Sequence, residues 1–156
     1  MQTFLPFSDF EQNARVLDKI RLNNQANEAK AILRSLLSGR GWIHHPAVKM
    51  WAGYEHSLGR YYDSIIGEFI RRGGNNTRPV SYKLINFDSG KNPFTSLWHS
   101  IRDNGEPLWL GDDRLHSSHR SVLQWKEIVN CEPEWYLKFN WVEQPKYLYF
   151  WPSNSK

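Results

Sequence analysis

The sequence predicts a mainly α protein with a short N-terminal arm and an irregular excursion near residues 75–95. Three observations carry that expectation. Between residues 17 and 37 the apolar side chains recur at intervals of three and four, residues 46–72 form a second long amphipathic and aromatic stretch, and capping residues or Pro open the periodic segments while glycines close them.

In chain order, Ser8 with Glu11 three residues later has the form of a capping box, so a first helix is expected to begin there and residues 1–7 to form the arm. From Leu17 to Leu37 the set Leu22, Ala26, Ala29, Leu33 and Leu36 forms one face of a helix laid on a core, ended by Gly39. Pro46 suits the first turn of another helix, running to the Gly73-Gly74 stop. The stretch from Gly73 to Phe94 carries Gly, Asn, Pro and Ser around a short β-branched and aromatic run and reads as a loop or small excursion. Helices are then expected over 96–104 and over 112–129, the latter capped by Asp112 or Asp113, with one more helical piece within 132–141. The final "YLYFWP", residues 147–152, is expected to close the chain as an apolar plug.

A chain of 156 residues without repeats fits one domain, 1–156, large enough to bury a real core. Eight Trp, eight Phe and seven Tyr supply core surface and flat faces able to stack on bases or sugars. Twenty Lys and Arg against sixteen Asp and Glu give a net charge of +4, which favours a polyanionic partner where that charge is concentrated on one face. Cys131 stands alone, which excludes an internal disulfide and a cysteine-rich zinc site and fits a reducing compartment. Neither a bilayer-length apolar run nor a secretory signal is present, so a cytoplasmic monomer is expected.

Candidate chemistry begins at "RLNNQANEA", residues 21–29. Positions 21, 25, 28, 32 and 36 share one strip of the helix, apolar at Ile32 and Leu36 but polar at Arg21, Gln25 and Glu28. Either this half of the helix is solvated and Arg21 simply lies near Asp18 and Glu28, or it is a polar pocket floor with Glu28 as its acid. Asn23, Asn24 and Asn27 make the segment poor in helix formers, which favours a site. His116 and His119 share a helix face, but no carboxylate stands at a recognised metal-motif offset. The donors of "LHSSHR" suit phosphate oxygens or a base edge, or else the histidines are half buried against aromatics. Hydrolase, kinase and glycosidase signatures are missing, and Cys131 has no neighbouring His.

Taken together, "MQTFLP", "LDKIRLNNQANEAKAIL", "HPAVKMWAGY", "LHSSHRSVLQWK" and "YLYFWP", in that order along nearly the whole chain, resemble a family of small bacterial and phage proteins in the pyrimidine-dimer DNA glycosylase group, related to bacteriophage endonuclease V. The resemblance implies a helical domain that binds double-stranded DNA, everts a nucleotide, and attacks C1′ of a damaged or modified pyrimidine nucleoside with its own N-terminal amine. A Schiff base forms and the strand breaks by β-elimination, without metal or organic cofactor. The implied nucleophile is Met1, the assisting acid Glu28, and Arg21 and Gln25 orient the sugar; His45, Lys49, Trp51, His116, His119 and Arg120 are the expected DNA face. An α-amine suits this role, since its reference pKa of roughly 7.7–8.0, against about 10.4 for lysine, leaves an appreciable free-base fraction at neutral pH.

This chain departs from the family pattern in three places. Gln2 stands where a small residue normally follows the initiator Met, and its bulk should keep Met1 in place; Asn24 and Ala26 stand where basic residues are usual. Two alternatives follow: a DNA-binding or base-modifying protein on this scaffold without strand cleavage, and a metal-dependent nuclease using the His cluster.

Overall fold

The structure is a computed structural model that describes residues 1–85, 98–99, 101–130 and 139–152. Among these residues the regular elements are helical: α1 Phe10–Val16, α2 Lys19–Ser38, α3 Pro46–Trp51, α4 Glu55–Arg71, a 3₁₀ turn at Tyr82–Leu84, and α5 Asp113–Val129. The protein is mainly α, as its periodicity predicts.

Helix α1 starts one residue later than the Ser8 box suggests. Asp9 is the cap, accepting from the backbone N of Gln12. Asp18, extended and accepting from Arg21 N, separates α1 from α2 and caps the latter, and Gly39 ends α2 at φ 62°, a left-handed conformation that L side chains avoid. Leu22, Ala26, Ala29 and Leu33 are fully buried, so the stripe read from the sequence is the face α2 lays on the core. Its main partner is α4, which contributes Leu58, Tyr61, Tyr62, Ile65 and Ile66 to the same cluster.

The single helix expected from Pro46 to the Gly73-Gly74 stop is two helices. Gly53, at φ 83°, lies in the break between α3 and α4, where the Trp51 carbonyl accepts from Tyr54 N. Asp112 caps α5. The expected helix over 96–104 is not formed in its described part: residues 98–99 are a turn and 101–104 irregular, while 96, 97 and 100 lie outside the described residues. In the irregular chain the Asp103 carboxylate, the Gly105 carbonyl and the Glu106 carboxylate all reach Arg60 of α4, with Gly105 in a left-handed turn at φ 75°. The excursion near 75–95 is irregular up to the turn at Tyr82, whose ring packs over Gly59 of α4, and residues 86–97 lie outside the described part. So does 131–138, most of the helical piece expected within 132–141; residues 139–141 are not helical.

The C-terminal segment is a strap rather than an apolar plug. Tyr147 and Leu148 are more than half exposed, and the chain is pinned on α5 where Ser118 Oγ accepts from Phe150 N and Ser121 Oγ donates to the Gln144 carbonyl. Alternating side chains of this strap, Tyr147, Tyr149 and Trp151, form a run of ring contacts that continues to His45 of α3's cap.

Candidate active site at the N-terminal amine

The arm carries no regular structure yet is buried, from Gln2 through Pro6. Its peptide groups therefore need partners from elsewhere, because a buried unpaired backbone group costs about 1–3 kcal/mol. Gln25 of α2 supplies two, accepting from Phe4 N at 2.7 Å and donating to the Gln2 carbonyl at 3.0 Å. Tyr61 of α4 donates both to Gln25 Oε1 at 2.7 Å and to the Phe4 carbonyl at 3.2 Å. From α5, His119 Nδ1 accepts from Leu5 N at 3.1 Å, His116 Nδ1 donates to the Leu5 carbonyl at 2.8 Å, and Arg120 donates to the Pro6 carbonyl at 2.7 Å. Asn13 of α1 pairs with both the N–H and the carbonyl of Phe7, and Trp51 Nε1 donates to Thr3 Oγ1 at 3.0 Å. Side chains from α1, α2, α4 and α5 thus do for the arm's peptide groups what a neighbouring strand would do in a sheet, and α3 adds the bond to the Thr3 hydroxyl.

The result fixes the first residue. Met1 N lies 3.9 Å from Glu28 Oε2, with the methionine side chain largely buried and Glu28 one-third exposed. The pair opens into a cleft of about 330 Å³ whose walls include Asn24 and Glu28 from α2, His45, Lys126 of α5, and the strap residues Tyr147, Tyr149 and Trp151. A second cleft of about 350 Å³, with Asp18, Ile20 and Arg21, shares Phe4, Asn24 and Lys126 with the first.

Several residues expected at the site have other positions. Arg21 opens onto the second cleft, ion-paired with Asp18, 3.5 Å from Glu127, and stacked over Phe139. Gln25 is buried and its polar atoms hold the arm. Of the expected DNA face, Trp51, His116 and His119 are buried behind the arm and Arg120 is paired with Glu143, so these four hold the arm instead of forming an open surface. His116, His119 and Arg120 answer the peptide groups of Leu5 and Pro6 and Trp51 the hydroxyl of Thr3, a demand invisible to local spacing. His45 is half-buried in the cleft wall, and Lys49 is exposed one turn further along α3. Ala26 is also fully buried, so of the two departures within α2 only Asn24 alters the charge of the cleft.

Burial holds His119 far below the usual histidine range, at about 3, with the His116 ring and Lys126 charge acting in the same direction. His116 is lowered for the same reason, burial, partly offset by its bond to Leu5. Both are neutral as they accept a backbone N–H, His119 from Leu5 and His116, through Nε2, from Gly111. His45 is lowered by burial and then by the positive Met1 amine, with Glu28 opposing; its Nδ1 accepts from Ala47 N as the cap of α3. Lys126 is lowered by burial and by Arg21, again with Glu28 opposing. Among the described residues no three His, Cys, Asp or Glu side chains converge as metal ligands, which leaves the His-cluster nuclease without a site there.

In the sequence Lys126 reads only as a basic residue flanking the "LHSSHR" donors, and its place in the cleft with the strap tyrosines is a finding of the structure. Lys126 stands seven residues after His119, two helical turns along the same face, and that spacing was the available signal.

A sequence model described as pyrimidine dimer DNA glycosylase matches residues 1–82 of the 156, more than half of the chain. The chain belongs to that family. No solved structure matches it. The family's activity makes DNA the substrate class. The matched part carries the arm, Gln25, Glu28 and His45, whereas Lys126 and the strap that complete the cleft lie beyond it. Among the described residues no helix is long and apolar enough to cross a membrane.

Proposed function

We propose that this protein is a DNA glycosylase with abasic-site lyase activity, acting on double-stranded DNA that contains a damaged or modified pyrimidine. The observation that carries the reading is the placement of Met1 N against Glu28 at the foot of a cleft. In its free-base form the amine attacks C1′, and the bond from C1′ to the base breaks with its electron pair going to the base, which takes a proton from water. Glu28 takes the proton the amine gives up and passes it to O4′ as the sugar ring opens to the imine. Loss of a C2′ proton then breaks the C3′–O bond, and water releases the amine. No cofactor is needed for these steps.

Eversion of the nucleotide costs a few kcal/mol, least for a damaged base, and the rings of Tyr147, Tyr149 and Trp151 offer faces that offset it. Gln2 Oε1 and the Tyr149 hydroxyl, both on cleft-lining side chains, are buried without hydrogen-bond partners among the described residues, which supports a polar ligand there. Lys49 is a cation for a flanking phosphate, Arg21 acts from the adjoining cleft, and Gln25 acts by holding the arm.

The test is a duplex oligonucleotide carrying one cyclobutane pyrimidine dimer. Borohydride should trap a covalent adduct at Met1, and acetylating the α-amine should abolish scission of the dimer's glycosidic bond, read as free pyrimidine base after photoreversal of the cyclobutane ring. Glycosidic scission that survives acetylation would overturn the reading. Tight, steeply salt-dependent binding with neither scission nor an adduct would instead favour the non-cleaving alternative, which Gln2, Asn24 and Ala26 motivate.

A further inference from the structure

The cleft holds two amines, and they have different surroundings. Met1 N faces the carboxylate of Glu28. Lys126 Nζ lies between ring faces, 4.9 Å from the centroid of Phe4 and 5.8 Å from that of Tyr147. Lys126 is also common to both clefts, so its side chain lines both the cleft of Met1 and Glu28 and the space beside Arg21. Its side chain is fixed by the helix beneath it and by the arm residue Phe4 against which it stacks. A lysine partly desolvated among aromatics and beside another cation is the arrangement that makes an ε-amine nucleophilic. Burial and then Arg21 lower this group, with Glu28 opposing, and the net direction is downward, in accord with that environment.

We infer that Lys126 is a second imine-forming amine of this site, acting on the open-chain sugar left at an abasic position. Its Nζ attacks the aldehyde carbon C1′, the carbonyl oxygen leaves as water, and the imine allows loss of a C2′ proton and rupture of the C3′–O bond to the 3′ phosphate. Water then returns the lysine and the unsaturated aldehyde. Excision of the base remains with Met1, so strand breakage at a pre-existing abasic site does not need the α-amine. The inference rests on reading this cleft as the glycosylase and lyase site.

The experiment uses the full chain, native and with its α-amine acetylated, on a duplex with one abasic site, trapped with borohydride and mapped by peptide mass spectrometry. The expected result is an adduct on the peptide containing Lys126 in both forms. Lys126→Arg, which keeps the cation and the ring contacts, should lose that adduct and slow cleavage of the abasic duplex about tenfold or more, with binding to the uncleaved duplex retained. Adduct at Met1 alone, abolished by acetylation, overturns the inference and leaves the proposed function standing. No adduct at either amine, with the abasic strand intact, overturns both.

Discussion

Met1 N and Glu28 Oε2 stand 3.9 Å apart although 27 positions separate the residues, and the contact exists because a buried arm returns the chain's first residue to the middle of α2. The amine is therefore presented at a fixed point beside an acid, the arrangement that attack on C1′ requires. Its rigidity comes from the arm and not from the pair itself, since an ion pair this exposed at Glu28 contributes roughly 0–1 kcal/mol.

Glu28→Gln should leave the fold intact, because the side chain is one-third exposed and the arm is held by other residues. Single-turnover excision of a pyrimidine dimer should fall by about 10²–10⁴-fold, the range for loss of a proton-transferring group. Near-native excision by this variant would remove Glu28 from the mechanism.

Gln25→Ala removes the partners of Phe4 N, the Gln2 carbonyl and one of the two acceptors of Tyr61. Thermal denaturation should show a loss of about 3 kcal/mol, and trapping at Met1 should fall as well, because the amine loses its fixed position. A stable variant with full trapping would mean the arm is held elsewhere.

Arg120→Ala should also act through the arm. The guanidinium links Glu143 at 2.5 Å to the Pro6 carbonyl at 2.7 Å, and its removal leaves a largely buried carboxylate uncompensated, costing about 3 kcal/mol in chemical denaturation. Arg120→Lys should recover part of this, since the charge returns without the fork that reaches both acceptors. Affinity for undamaged duplex at moderate salt should change little with the lysine, in contrast to a direct phosphate contact.

Stability should fall on acidification through His119. Its folded value of about 3 lies below the ordinary histidine value of 6.5, so between these limits the unfolded chain binds more protons than the folded one. The neutral ring's contribution is fully present above pH 6.5 and is lost progressively as pH falls towards 3, at no more than about 1.4 kcal/mol per pH unit. Melting temperatures at pH 7, 6 and 5 should decline, and His119→Gln, which retains an acceptor for Leu5 N, should flatten the decline. An equally steep decline in that variant would place its origin in other groups.

The sequence by itself determined most of the helices and the position of Glu28, while a role for Glu28 beside the amine is what the family resemblance implies. Leu22, Ala26, Ala29 and Leu33 set which face of α2 is buried, Asp112 sets where α5 begins, and the adjoining strip of α2 carries Arg21, Gln25 and Glu28. These are short-range matters of helical period and capping, and a single chain records them. Only the tertiary structure decided what Gln25, Trp51, His116, His119 and Arg120 do. As isolated residues they suit phosphate or base contacts equally well, and their use as donors and acceptors follows from an arm without secondary structure being buried across five helices. Likewise the cleft takes Lys126, Tyr149 and Trp151 from about a hundred positions beyond Glu28, a proximity set by packing and by no local pattern.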